Sequence, residues 1–243
     1  MSNPHTHEAW LNQLETESRR KQEAFIANIT NRLNRPFLTE PPAHPYRGAP
    51  AYWNEWQWSV PERIEHFSTH FRNAGGHVRR MNQYSEAKQF ILEHAEALGA
   101  QWIIRNDQPL LNTMELEAAL PSATVSIWNR DPAVDWKARS AEADIGIVVA
   151  DHAVAYTGSI VVRSSATQGR SVSLLPTVLI VILPLERLQT RLGEVLVGLD
   201  EAGREHLPAG LHFISGPSRS ADIENDLTIG VHGPGIVYTL IVG

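Results

Sequence analysis

Apolar positions recur along the chain with two periods, and each change of period marks an element. From Ser59 onward, Ile64, Phe67, Phe71 and Ala74 follow helical spacing. Ser59 with Glu62 reads as a capping box, Pro61 suits a first turn, and Gly75 and Gly76 end the helix. His77 to Met81 then reads as a short strand. Ser85 is the expected cap of a second helix, whose Ala87, Phe90, Ile91, Ala95 and Leu98 share one face and which Gly99 closes. Gln101 to Arg105 predicts a buried strand, Asn112 with Glu115 a boxed helix through Leu120, and Thr124 to Trp128 a further strand. Strands alternating with helices at this spacing predict parallel pairing through right-handed crossovers, and so an α/β fold.

In the second half, Trp136 to Ala143 reads as helical and leads into the apolar strand Ile145 to Ala150. Thr157, Gly158 and Ser159 separate two β-prone halves of Val154 to Val162, which predicts a hairpin. The sheet is therefore expected to be mostly parallel with an antiparallel hairpin. Thr177 to Leu183 is continuously apolar, the pattern of a strand buried on both faces, and is placed at the sheet centre. Leu185, Leu188, Leu192, Val195, Leu196 and Leu199 make a helical face, and Leu211 to Ile214 and Ile236 to Val242 read as strands.

The N-terminal segment differs. Trp10, Leu11, Leu14, Phe25, Ile26, Ile29 and Leu33 form a stripe broken by polar residues, which predicts a lightly buried helix. Five prolines and three tryptophans follow between Pro36 and Ser59; the prolines deny regular structure, and the tryptophans call for a surface to pack on. That surface is either the main domain or a second subunit. The expected organisation is an N-terminal helix and Pro/Trp-rich arm over 1–60 and an α/β domain over 61–243.

A net charge of −6 argues against a nucleic-acid partner. The 21 basic residues include only Lys21, Lys88 and Lys137 as lysines; the arginine excess suits forked anion recognition, and codon bias explains it equally well. With no cysteine, the chain carries no iron–sulfur cluster and no Cys-ligated metal. No apolar stretch has the length of a membrane span and no signal peptide is recognisable, so a cytoplasmic protein is expected. His66 and His70 lie four apart without the other features of a zinc site, and no metal is expected. No nucleophile triad, phosphate-binding loop or dinucleotide fingerprint occurs.

Candidate chemistry lies in two glycine- and hydroxyl-rich loops. In Ile214 to Glu224, Ser215, Gly216, Ser218 and Arg219 offer donors to an anion, ahead of an expected helix N-terminus with Asp222 and Glu224 in its first turn. A well-capped strand-to-helix turn accounts for the same residues. In Gly230 to Gly235, His232 stands between glycines, including Gly233, as a proton-exchanging candidate or a plain loop hydrogen-bonder. Thr157, Gly158 and Ser159, with Gly169 and Arg170, are further ligand-binding candidates for the same cleft if the strand ends gather at one sheet edge, although ordinary hairpin and loop chemistry is the favoured account of them. The ligand would be a small carboxylate or phosphate.

Four strings carry a resemblance: ADIGIVVADHAVAYTGSIVV (143–162), GRSVSLLPTVLIVILPLERL (169–188), ISGPSRSADIE (214–224) and GVHGP (230–234). In them the chain resembles the LUD domain family of lactate utilization proteins. The resemblance implies a fold similar to the sugar-phosphate isomerase and CoA-transferase superfamily. It also implies a part in oxidising L-lactate to pyruvate beside iron–sulfur partner subunits, which fits the lack of cysteine. Where the family commonly has Glu before Thr-Gly in the hairpin, this chain has Tyr156, which cannot serve as a carboxylate nucleophile. Asp151, Asp222, Glu224 and His232 remain the catalytic candidates, with the cofactor unknown. Three readings stay open: a cluster-free subunit of lactate utilization, a stand-alone CoA-transferase-like or sugar-phosphate-binding enzyme, and a structural or regulatory module. A homo-oligomer is compatible with each.

Overall fold

The computed structural model describes residues 4–36, 56–221 and 227–243. The chain divides into two compact units, 1–54 and 55–243. The first contains one thirty-residue helix, α1 (Pro4–Leu33), whose large apolar side chains are mostly exposed, as its broken stripe predicts. Trp53 and the prolines from Pro41 to Pro50 lie outside the described residues.

The second unit runs α2 (Val60–Asn73), β1 (His77–Met81), α3 (Tyr84–Leu98), β2 (Trp102–Arg105), α4 (Pro109–Asn112), α5 (Leu116–Ala119), β3 (Thr124–Ile127), α6 (Trp136–Ala141) and β4 (Ile145–Val149). It continues through β5 (His152–Val154), β6 (Ser159–Arg163), α7 (Arg170–Leu174), β7 (Val178–Pro184), β8 (Leu188–Gln189) and α8 (Leu192–Ala202). β9 (Leu211–Ile214), β10 (Arg219–Ala221), β11 (Leu227–Ile229) and β12 (Ile236–Val242) complete it.

Six strands form a parallel sheet in the order β1-β12-β7-β4-β2-β3, with β7 and β4 at its middle. Every residue of β7 is buried, because the sheet is covered on both faces. Successive residues of β7 therefore serve two cores. Leu179, Val181 and Leu183 pack with Phe67 and Phe71 of α2, whereas Val178, Ile180 and Ile182 pack with Phe90 and Ile91 of α3 and with Leu111 and Leu116. The predicted hairpin is β5 with β6, antiparallel, and it sits in a second sheet ordered β8-β5-β6-β9. The fold is α/β with a parallel main sheet, an antiparallel hairpin and an N-terminal helix.

The N-terminus of α2 is held as the spacing predicts: the Glu62 carboxylate accepts from the Ser59 N–H at 2.8 Å and its hydroxyl at 2.7 Å. These bonds hold the Glu62 carboxyl below its usual range. Trp58 stacks on His66 at 3.8 Å and packs against the core, so this part of the aromatic segment belongs to the second unit.

Four local expectations differ from the structure. The helix proposed from Asn112 to Leu120 is two single turns, α4 and α5, broken at Glu115 with φ +49°. Asn112 does not cap; its amide is drawn to Arg105 and Asp107. The helical face starting at Leu185 begins only at Leu192, since Leu188 and Gln189 pair with β5 as β8. Gln83, not Ser85, is the residue before α3. The segment after Arg219 is a strand, as described below. Among the described residues, no helix is long and apolar enough to cross a membrane, and no group of three or more His, Asp or Glu is placed to hold a metal ion.

Candidate functional site

β9 runs antiparallel to β6, with Ile214 opposite Ile160, and so delivers Ser215 beside Ser159. The two hydroxyls are 2.7 Å apart. Gly216 follows with φ +107°, and a Cβ there would lie 2.9 Å from the Ala74 carbonyl oxygen, so both the backbone turn and the close approach need glycine. Ser218 donates its N–H to Pro234 O at 2.9 Å and accepts at its carbonyl from Gly230 N–H at 3.0 Å. The two loops singled out in the sequence are thus zipped to each other.

The zipping continues as strand, which corrects the expected helix. Arg219, Ser220 and Ala221 pair antiparallel with Ile229, Thr228 and Leu227. Backbone groups that would have faced an anion at a helix end are engaged across a ladder. Asp222 and Glu224, assigned to that helix's first turn, lie outside the described residues. Arg219 is committed too: its Nη2 donates to Ala74 O at 2.6 Å, capping the C-terminal end of α2.

His232 is exposed and lines two clefts that share this wall. One, of about 520 Å³, is bounded by Leu174 to Thr177 and by Ile229 to Gly233. The other, of about 420 Å³, is bounded by Ser173, Leu174, Phe213 to Arg219 and His232 to Pro234. Gly233 sits tightly between them, where a Cβ would be 3.1 Å from Ser218 Cβ. Gly235 N–H then donates to Thr177 O at 3.0 Å, feeding β12 into the main sheet beside the start of β7.

This position sets the clefts at the N-terminal edge of the parallel strands, so the expectation of one shared cleft is met only in part. Ser159 joins through Ser215, while Gly158, φ +60°, turns against His70 and Phe71, and Thr157 lies exposed on the turn. Gly169 lies at the other end of α7, buried against Trp128, and donates its N–H to Asn106 Oδ1 at 3.0 Å just past the C-terminal end of β2. Arg170 beside it is exposed. α7 therefore separates these residues from His232: its first residue stands toward one sheet edge and its last, Leu174, lines both clefts.

Asp151 is likewise elsewhere. It is buried at the end of β4, where its two oxygens accept from Arg163 N–H at 2.8 Å and Arg163 Nε at 3.0 Å. It is a structural anchor for the hairpin. Neighbouring His152 has Nδ1 buried without a partner, and burial pushes its pKa down. Tyr156, at the hairpin's departure from the family pattern, packs edge-on against Trp56 at 5.7 Å and tilts toward Trp58 at 6.2 Å. His66 and His70 have ring centroids 6.0 Å apart; His66 stacks on Trp58 and His70 Nδ1 lies 3.0 Å from Ala155 O.

No motif marks the polar run after β2, Asn106 to Gln108. Connections diverge between adjacent β2 and β4, the switch point at which open α/β sheets commonly bind ligands. Here Gln108 closes it, its amide exchanging hydrogen bonds with both Val149 N–H and Val149 O at 2.8 and 3.0 Å. Buried Arg105 donates to Glu117 at 2.6 Å and Asn112 at 2.7 Å. The hydrogen bond from Asn112, with Arg130 beyond it, holds the Asp107 carboxyl below its usual range. An Asn-Asp-Gln run directly after a strand was the available signal.

A family model described as the LUD domain matches residues 64–242. Lactate utilization protein C of Halalkalibacterium halodurans is 32% identical over 217 residues, covering 88% of this chain and 94% of that protein. Lactate utilization protein C of Shouchella clausii is also 32% identical, over 229 residues, with the same coverage. In structure, the chain is similar to a DUF162 family protein from Deinococcus radiodurans at a TM-score of 0.54 and 22% identity, over 76% of this chain and 99% of that one. The aligned span takes in both clefts, the hairpin and the whole parallel sheet, and the chain belongs to the LUD domain family.

Proposed function

We propose that this chain is a cluster-free component of L-lactate utilization, working beside cytoplasmic iron–sulfur partner subunits that carry the electrons. The observation that carries the reading is the alignment over 94% of relatives named for lactate utilization. A chain without cysteine suits that division of labour, because cluster chemistry must then reside on another subunit. We further propose that the His232 clefts bind a small carboxylate or phosphate, with His232 and Ser218 as its polar contacts. Arg219 serves chiefly as a clamp between this wall and α2. Tyr156 in place of a carboxylate weighs against covalent CoA transfer by this chain alone.

The test is growth on L-lactate as sole carbon source. A deletion strain should fail, the wild-type gene should restore growth, and affinity capture from lactate-grown cells should recover iron–sulfur proteins. Unimpaired growth of the deletion strain would remove the reading. For the cleft, titration of purified chain with lactate, pyruvate and inorganic phosphate should show saturable binding that His232→Ala weakens; no binding of any of the three would discard the site.

A further inference from the structure

β6 and β9 leave two polar side chains without partners. His212 lies opposite Val162, and the Ser164 N–H donates to Gly210 O at 2.9 Å, so the antiparallel register continues one residue past β6. Side chains alternate across a strand, so Gly210, His212, Val162 and Ser164 share one face. It is the inner face, since Val162 belongs to the same core cluster as Val172 of α7. A Cβ on Gly210 would lie 2.8 Å from His212 Nε2 and 3.0 Å from Ser164 Oγ, so the two polar atoms converge where any other residue would carry its side chain. Both atoms are buried and neither has a hydrogen-bond partner. An unpaired buried polar atom is costly, and two of them meeting at one gap point to a missing group rather than to packing.

Charge at this gap is one-sided. Arg170, the first residue of α7, is exposed, and its guanidinium makes no hydrogen bond or ion pair with the described residues. Burial and the Arg170 charge both push the His212 pKa down, and no carboxylate opposes them. At His152, the other partly buried histidine of this sheet, the Asp151 charge does oppose burial. The position also suits a ligand. Arg163 N–H reaches Asp151 at the end of β4, and Gly169 N–H reaches Asn106 just past β2. Ser164 and Arg170 therefore stand at the C-terminal edge of the parallel sheet, the edge at which open α/β sheets bind ligands. Ser164 and His212 are only partly buried as residues, so side-chain rotation brings the two atoms within reach of solvent.

We propose that Ser164, His212 and Arg170 form an oxyanion site, which takes the carboxylate or phosphate group of a ligand at the C-terminal edge of the sheet. The Ser164 hydroxyl and the His212 imidazole, as its Nε2–H tautomer, donate to the anion, and the Arg170 guanidinium neutralises it. Gly210 leaves the space that the anion fills. The site is separate from the His232 clefts at the opposite edge and stands whether or not those clefts bind.

The His212 imidazole reports on the site directly. In the full chain, isotope-labelled at histidine, the His212 resonances are assigned by their loss in His212→Gln, and inorganic phosphate and L-lactate are titrated separately. At least one should shift the His212 resonances saturably at millimolar concentration, phosphate alone marking a phosphate ligand and lactate alone a carboxylate. Arg170→Gln should weaken binding of that anion by about tenfold. Gly210→Ala should weaken it at least as much, because the added methyl fills the gap. Gly210 has no positive φ, and the atoms that the methyl meets are ends of side chains that can give way. Ser164→Ala removes the hydroxyl without adding bulk and should also weaken binding. His232→Ala should leave the His212 response unchanged.

Three results would overturn the proposal. One is a set of His212 resonances that move with neither anion up to tens of millimolar. Another is a response that all the histidines share and that sodium chloride reproduces, which is ionic screening. The third is an affinity that survives both Arg170→Gln and Ser164→Ala.

Discussion

Arg219 Nη2 donates a 2.6 Å hydrogen bond to the carbonyl of Ala74, tying the most conspicuous cation of the 214–224 loop to the end of α2. A guanidinium so engaged at a helix C-terminus stabilises it through both the bond and the dipole. Arg219→Ala is expected to lower the unfolding free energy by about 1 kcal/mol, the upper part of the range for exposed helix-end charges. Urea unfolding checks this. Affinity for small anions should change less than in His232→Ala, and an equal or larger loss would show that Arg219 is a ligand contact after all.

Asp151 and Arg163 make the corresponding structural pair at the end of β4. Asp151 is buried and Arg163 about half exposed, so the loss from Asp151→Ala is set by the unpaired donors and should be about 2 kcal/mol. Asp151→Asn, which keeps one acceptor, should cost less. Denaturation of both variants, together with lactate-dependent growth, distinguishes this anchor from a catalytic acid: a stable but growth-defective Asp151→Asn would reinstate the latter.

Gly146 of β4 lies under α7, where a Cβ would stand 2.1 Å from the Val172 carbonyl oxygen and 2.9 Å from Pro176. Backbone and a proline ring cannot yield as a flexible side chain does. Gly146→Ala should therefore destabilise the fold by about 3 kcal/mol, at the upper end of overpacking costs. Gly198→Ala on α8, where a Cβ meets nothing within 4 Å, should be neutral or stabilising. Thermal unfolding of the pair measures the contrast.

Acid sensitivity should appear before the carboxylates titrate. Burial lowers the pKa of His152 and of His212, and the Arg170 charge adds to the effect at His212. The unfolded chain, with ordinary histidine values of about 6.5, takes up these protons first as pH falls. The stabilisation from keeping both rings neutral is complete above that value and is lost as pH drops through the lowered folded values. Urea midpoints should fall between pH 7 and 5, and a His152→Gln, His212→Gln double variant should show a flatter profile; an unchanged slope would contradict it.

Much of the fold is legible locally, and for a definite reason. The buried run of β7, the stripes of α2 and α3 and the Thr157 to Ser159 turn are patterns that burial on two faces, on one face or in a turn imposes on neighbouring residues. The helix expected after Arg219 was not recoverable in that way. Residues 219–221 became strand because 227–229 lay within pairing reach, a choice made by backbone partners on another segment.

The residues by themselves thus determine the alternation of strands and helices, the hairpin and the lack of any cysteine-ligated group, and they mark out the two glycine- and hydroxyl-rich loops. Tertiary structure alone decides to which edge of the sheet each loop is carried. Strand order depends on pairings such as β12 between β1 and β7, which join residues about 60 and 160 positions apart and leave no local period. That order sends Gly169 to one end of α7 and the zipped Ser218 and His232 loops to the other. It also turns Arg219 from a free fork into the clamp on Ala74.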